Sequence, residues 1–193
     1  EHGKINSKIV SKQIISIVFL TILTLLTMES QAQTFKTIEN KDLKLEVYNA
    51  SENSFGVASV IVSGKKDAVL IDTQFTLADA EKVAQEIKKS GKKLTTIFVS
   101  HGDPDFYFGL EVFKKYFPEV TAYATPATIE HIKATAQKKL DVWGERLGKN
   151  ITSNVILPQV LKGNSIELEG HQLEIVGLQE FTSKTFVWIP SIK

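Results

Sequence analysis

The sequence predicts a mixed α/β domain in which a sheet carries a layer of helices. Three observations predict it. β-rich apolar runs come in pairs near both ends, separated by short polar turns. Three helical apolar patterns lie between those pairs, alternating with short strand-like runs. The 193 residues are 42% hydrophobic and 23% charged, which suits one soluble globular domain.

The elements follow in chain order. Leu43, Leu45 and Val47 alternate, which reads as a half-buried strand to Tyr48. Asn49 to Asn53 is a turn cluster. Val57 to Ser63 and Ala68 to Asp72 flank Gly64-Lys65-Lys66-Asp67, a hairpin pattern. Thr76-Leu77-Ala78-Asp79 resembles a capping box with Asp in place of Glu. Leu77, Ala80, Val83, Ala84 and Ile87 then share a helix face, and Gly91 stops the helix. Leu94 to Ser100 reads as a buried strand. A polar stretch from His101 to Asp105 opens a helix that runs to Tyr116, before Pro118. Val120 to Ala124 is a short strand. Thr125-Pro126 starts a long helix carrying Ile129, Ile132, Ala136, Leu140, Trp143 and Leu147. Ser165–Glu169 and Gln172–Val176 form a second hairpin about Gly170-His171, and Phe186–Ile189 is a final strand.

The first 32 residues have a different character. Lys4, Lys8 and Lys12 precede the apolar run Ile14 to Leu26, and Ser30-Gln31-Ala32 supplies small residues before Gln33. This is the pattern of a secretory signal peptide, residues 1–32, ahead of a domain over 33–193. The run is shorter than the roughly 20 apolar residues of a membrane span. The alternative is an anchor that is never cut. The expected product is periplasmic or secreted, with no stable membrane association after cleavage.

Charge and composition exclude several classes. Net charge is +1, and Arg146 is the only arginine, so neither a basic face nor bidentate phosphate recognition is indicated; no nucleic-acid partner is expected. Cysteine is absent. Disulfides, thiolate metal sites and cysteine nucleophiles are therefore excluded. A metal site must draw on His, Asp, Glu, backbone or water.

The chemistry concentrates in Ser100-His-Gly-Asp-Pro-Asp-Phe-Tyr-Phe-Gly109. One imidazole and two carboxylates, His101, Asp103 and Asp105, alternate just past the carboxyl end of a buried strand, where open α/β sheets place ligands. That donor set suits Zn, Mn or Fe. A polar loop built by ordinary Asp-Pro-Asp turn chemistry fits the same spacing. The other histidines carry less: His131 sits beside Ile129 and Ile132 at a solvated helix edge, His171 lies in a turn, and His2 belongs to the export segment. The paired lysines, Lys138-Lys139 among them, read as helix coating.

Ser100 to Leu110 resembles the signature of the metallo-β-lactamase superfamily, His-x-His-x-Asp-His followed by Gly. Ala68–Asp72, Val120–Pro126, Leu173–Gly177 and Phe186–Pro190 match family strands in place and order. The resemblance covers about residues 42 to 193. It implies an αββα sandwich, incomplete at the C-terminus, with a metal site at the edge. It also implies one or two divalent ions, Zn first and Mn or Fe as alternatives. A metal-activated water would attack an ester, amide or related bond of a small-molecule substrate.

Against that pattern, His101 and Asp105 match, but Asp103 and Phe106 stand where histidines belong. The next ligand position falls in Leu178–Thr185, at about Ser183, where there is no histidine. Two readings follow. One is an exported bacterial hydrolase using His101 and Asp103 as ligands, with Asp105 as ligand or as the residue that orients water. The other is a catalytically impaired binding protein of the same fold, with metal weakly held or not held.

Overall fold

The structure, a computed structural model, describes residues 35–178 and 182–192. The predicted signal peptide lies outside the described residues. Among the described residues, ten strands and four α-helices follow one another: β1 (Lys36–Glu39), β2 (Lys44–Asn49), β3 (Ala58–Ser63), β4 (Asp67–Ile71), α1 (Leu77–Ser90), β5 (Lys93–Phe98), α2 (Pro104–Tyr107), α3 (Leu110–Tyr116), β6 (Thr121–Ala124), α4 (Pro126–Leu147), β7 (Gln159–Val160), β8 (Ser165–Leu168), β9 (His171–Val176) and β10 (Phe186–Trp188).

Strands β1 to β7 form one sheet in sequence order, and β10-β9-β8 form a second. The first is mixed. Its β1–β4 half is antiparallel, while β4, β5, β6 and β7 run parallel. The parallel half needs crossovers, and α1 and α4 supply two of them.

Burial places two cores. Leu43, Val62, Val69 and Phe98 of the first sheet's region cluster with Ile166, Leu168, Leu173 and Ile175 of the second, so the sheets face each other. The opposite face of the first sheet, with Ile61, Leu70 and Ile97, packs against Ala80, Val83 and Ile87 of α1 and Ile129 and Ile132 of α4. Each such aliphatic burial contributes about 1.5–3 kcal/mol. The predicted αββα arrangement is therefore present as helices, sheet and sheet.

The predicted helix signals act as read. The Thr76 hydroxyl caps α1, accepting from Asp79 N at 3.2 Å and donating to Asp79 Oδ2 at 2.7 Å, and Gly91 ends the helix at φ 67°. Thr125 caps α4, with Pro126 in its first turn. Three details differ from expectation. The single helix expected before Tyr116 is two, α2 and α3. They break because Gly109 N leaves the helical ladder for Gln74 O, at 3.1 Å. β1 and β7 had no sequence signal: β1 is exposed along its whole length and β7 is two residues long. His171 begins β9 rather than sitting in the turn, which is Glu169-Gly170, both at positive φ as a two-residue hairpin requires.

That turn also ties the sheets together. Glu169 accepts hydrogen bonds from the N–H groups of Lys65, Lys66 and Asp67, at 2.8, 2.6 and 2.7 Å, in the β3–β4 turn. The Asp67 and Lys66 amides hold its carboxyl down at about 2. Among the described residues no helix is long and apolar enough to cross a membrane.

Candidate functional site

The 100–109 loop rests on residues 72–74. Leaving β4, the chain takes left-handed backbone at Asp72 (φ 61°) and Gln74 (φ 79°). Side chains other than Gly adopt that conformation at a cost, so it persists where surrounding contacts over-determine it. Those contacts are visible. Asp72 Oδ1 accepts from Ser100 N at 2.8 Å, and Oδ2 accepts from Ser100 Oγ at 2.7 Å. Thr73 donates to Phe106 O through N at 2.9 Å and Oγ1 at 3.0 Å. A Cβ on Gly109 would stand 1.8 Å from Thr73 O, so only glycine fits there. Asp72 thus holds the motif loop. Burial raises its carboxyl to about 7, against the pull of the Ser100 hydrogen bonds.

Of the three predicted site residues, His101 and Asp105 share a cleft and Asp103 lies apart. His101 Nδ1 lies 2.7 Å from Ser100 Oγ, and its ring stacks on Phe106 at 4.2 Å and 16°. Burial, with the Lys184 charge, lowers its pKa, partly opposed by Asp103. Asp105, in the first turn of α2, has its carboxyl pushed up by burial. His101, Asp105, Asp72 and Ser100 line one cleft of about 410 Å³, whose apolar walls include Phe55, Val57, Phe106, Phe186 and Val187. Asp103 lines a different groove, of about 390 Å³, with His131, Thr135, Lys138, Lys139, Val142 and Trp143.

Asp103 has a committed partner. Lys139 Nζ donates to its Oδ1 at 2.9 Å and to Gly102 O at 2.8 Å, and His131 Nε2 is 3.8 Å from the same Oδ1. Burial of Asp103 works against ionisation. The Lys139 hydrogen bond and charge outweigh it and hold the carboxyl below its ordinary range. Among the described residues, no three His, Asp or Glu side chains gather as metal ligands. The donor chemistry gives the reason. Phe106 offers a ring face where the family places a donor, and Asp103 answers an ammonium in another groove. His101, Asp103 and Asp105, expected as one ligand set, do not fit a divalent ion in this arrangement.

The expected neighbour of the loop is in place through its backbone. Gly102 N donates to Ser183 O at 3.1 Å, and His101 pairs with Lys184 in an antiparallel bridge. Thr185 donates twice to Ser100 O, at 3.0 Å from N and 2.9 Å from Oγ1.

Sequence reasoning missed two residues at this loop. His131 keeps a partly solvated edge position, at 39% exposure, but faces the loop, and Lys139, 18% exposed, is not helix coating; both reach the loop from α4. One signal was available: His131, Thr135 and Lys139 recur every four residues and so share one helix face.

Comparison with known proteins matches this arrangement at the level of fold. A metallo-beta-lactamase from Pontibacter korlensis superposes with a TM-score of 0.57 at 18% identity, covering 82% of this chain and 68% of that one. The metallo-beta-lactamase DIM-1 gives 0.54 at 20% identity, covering 82% and 66%. A metallo beta lactamase from Hirschia baltica gives 0.56 at 13%, covering 82% and 68%. The chain thus spans about two thirds of the length of these structures. A search among curated proteins returns no match. The family model described as the metallo-beta-lactamase superfamily matches residues 53–185, which take in the Asp72 support, the whole 100–109 loop and the Ser183–Thr185 segment beside it, and the chain belongs to that superfamily.

Proposed function

We propose that this chain binds a small molecule in the His101–Asp105 cleft of a hydrolase-type fold, and that metal-activated hydrolysis is impaired in it. One observation carries the reading: Asp103, which stands at a family ligand position, is held by Lys139 in a separate groove. The cleft itself suits a small ligand. Its volume of about 410 Å³ lies within the usual range for such sites, and it combines apolar walls with a few convergent polar groups. Near-zero net charge and a single arginine argue against a nucleic-acid ligand.

The test is elemental analysis of the purified full chain after dialysis, beside a His101→Ala control. Metal well below one equivalent in a folded sample is the expected result. A full equivalent that disappears in the control would overturn it.

A second reading has its own support. His101 and Asp105 line the same cleft, and the Ser100 hydroxyl links His101 Nδ1 to the Asp72 carboxylate. In a hydrolase, those groups would hold and move protons at a bound ester, amide or related bond. Hydrolysis of such substrates that Asp105→Asn abolishes would favour it; activity unchanged by that substitution would remove Asp105 from the chemistry.

The site of action proposed is outside the cytoplasm. Lys4, Lys8, Lys12 and the Ile14–Leu26 run support that location. An N-terminus at Gln33 in protein recovered from the producing cell's exterior is the expected mass-spectrometric result.

A further inference from the structure

In the groove separate from that cleft, Lys139 Nζ meets three acceptors. They are Gly102 O at 2.8 Å, Asp103 Oδ1 at 2.9 Å and His131 Nε2 at 3.3 Å, the last in the tautomer with Nε2 unprotonated. An ammonium has three N–H donors, so this cluster can satisfy all of them. Lys139 is only 18% exposed in its side chain, whereas Asp103 and His131 are 44% and 39% exposed.

The cluster is built by close packing. A Cβ on Gly102 would lie 2.7 Å from His131 Cδ2 and 3.0 Å from His131 Cβ. His131 therefore reaches this place because residue 102 has no side chain. Its helix neighbour Thr135 donates to His131 O at 2.7 Å, on the same face as Lys139. A carbonyl, a carboxylate and an imidazole are also the donors a divalent ion accepts. The 3.8 Å between His131 Nε2 and Asp103 Oδ1 is what two ligands about 2.1 Å from one ion subtend at roughly 130°.

We propose that Lys139 is a built-in cation: its ammonium occupies a cation-binding cluster of Gly102 O, Asp103 and His131, and ties the motif loop to α4 in place of a metal ion. The inference rests on the ligand-binding reading, because it explains where the Asp103 donor has gone. It adds a second site, distinct from the His101–Asp105 cleft, that takes a divalent cation once the lysine charge is removed.

The test uses the full chain and cobalt(II) as the probe, read by visible absorption and by the thermal unfolding midpoint. Three proteins are compared: wild type, Lys139→Met, and Lys139→Met combined with His131→Ala. The expected result is that Lys139→Met unfolds at lower temperature in metal-free buffer and recovers when cobalt is added. It binds cobalt at least tenfold more tightly than wild type, and the double variant loses that gain. Cobalt binding no tighter in Lys139→Met than in wild type would overturn the proposal. An unfolding midpoint unchanged by Lys139→Met would do the same. Should Lys139→Met fail to fold, Lys139→Gln, which keeps a donor without the charge, is read identically. A wild-type cobalt equivalent lost in His101→Ala would overturn the ligand-binding reading instead. The Lys139 comparison, repeated in that His101→Ala background, would then decide this inference separately.

Discussion

Beneath the 100–109 loop, Asp72 receives two hydrogen bonds from Ser100, Phe106 O receives two from Thr73, and Gly109 is pressed against the Thr73 carbonyl. On the loop's outer side, Asp103 is nearly half exposed and pairs with Lys139, and Phe106 lies flat on His101. The underside keeps what the superfamily's fold needs; the outer side has exchanged donors for a lysine pair and an aromatic face. The two sides obey different constraints. The underside contacts are buried or part-buried and shared with a second segment, so a change there disturbs backbone. On the outer side, the Asp103 and Phe106 contacts are made by a carboxylate and a ring rather than by backbone.

Three substitutions sharpen this contrast. Gly109→Ala has the largest expected effect, because the new Cβ would sit 1.8 Å from a backbone oxygen that helps hold the loop. A loss of more than about 4 kcal/mol, or failure to fold, is expected in urea unfolding, as befits an overpacked buried contact. Next, Asp72→Ala removes a buried acceptor of two hydrogen bonds and leaves Ser100 N and Oγ without it, for about 2–4 kcal/mol by the same measurement. Smallest is Asp103→Ala, which removes a half-exposed carboxylate and leaves Lys139 its Gly102 O and His131 acceptors, so it costs under about 1 kcal/mol at neutral pH. If Asp103→Ala destabilised the fold as much as Asp72→Ala, the contrast between the two sides would be lost.

Acidity separates the two aspartates as well. The Asp72 carboxyl is raised to about 7 by burial, so the folded chain holds a proton there that the unfolded chain releases near its ordinary value. Between those values the folded state binds more protons, and this residue's contribution to stability falls as pH rises from about 4 to about 7. Asp103 is lowered, with Lys139 outweighing burial, so its contribution is present above the ordinary carboxylate range and is lost as pH falls through the folded value. Unfolding midpoints measured across pH 4–8 should show a downward slope in wild type that Asp72→Asn flattens. A slope unaffected by Asp72→Asn would place the buried proton elsewhere.

Much of the fold was legible because its signals are local. The three- and four-residue spacing of the α4 apolar positions, Thr76 and Thr125 as caps, and Gly91 as a stop are each decided within a turn or two of helix. β1 was not legible because no residue on it is buried and no one-sided pattern forms. The α2–α3 break depends on Gly109 finding Gln74 O, a partner outside its own helix. The site divides the same way. His101, Asp103 and Asp105 were visible as chemistry, but alternation along the chain says nothing of the direction each side chain takes once α2 begins at Pro104. The Lys139 contact to Asp103 spans 36 positions and leaves no local trace.

Glu169 meets the β3–β4 turn across 102 to 104 positions. At about 5–20 residues per second on a ribosome, that turn is synthesised some 5–20 s before its acceptor. Through that interval the N–H groups of Lys65, Lys66 and Asp67 form an uncapped nest at the tip of a hairpin that is already complete, open to any anion in its surroundings. The second sheet thus arrives late, to a receptor for its own turn that was synthesised about a hundred residues earlier.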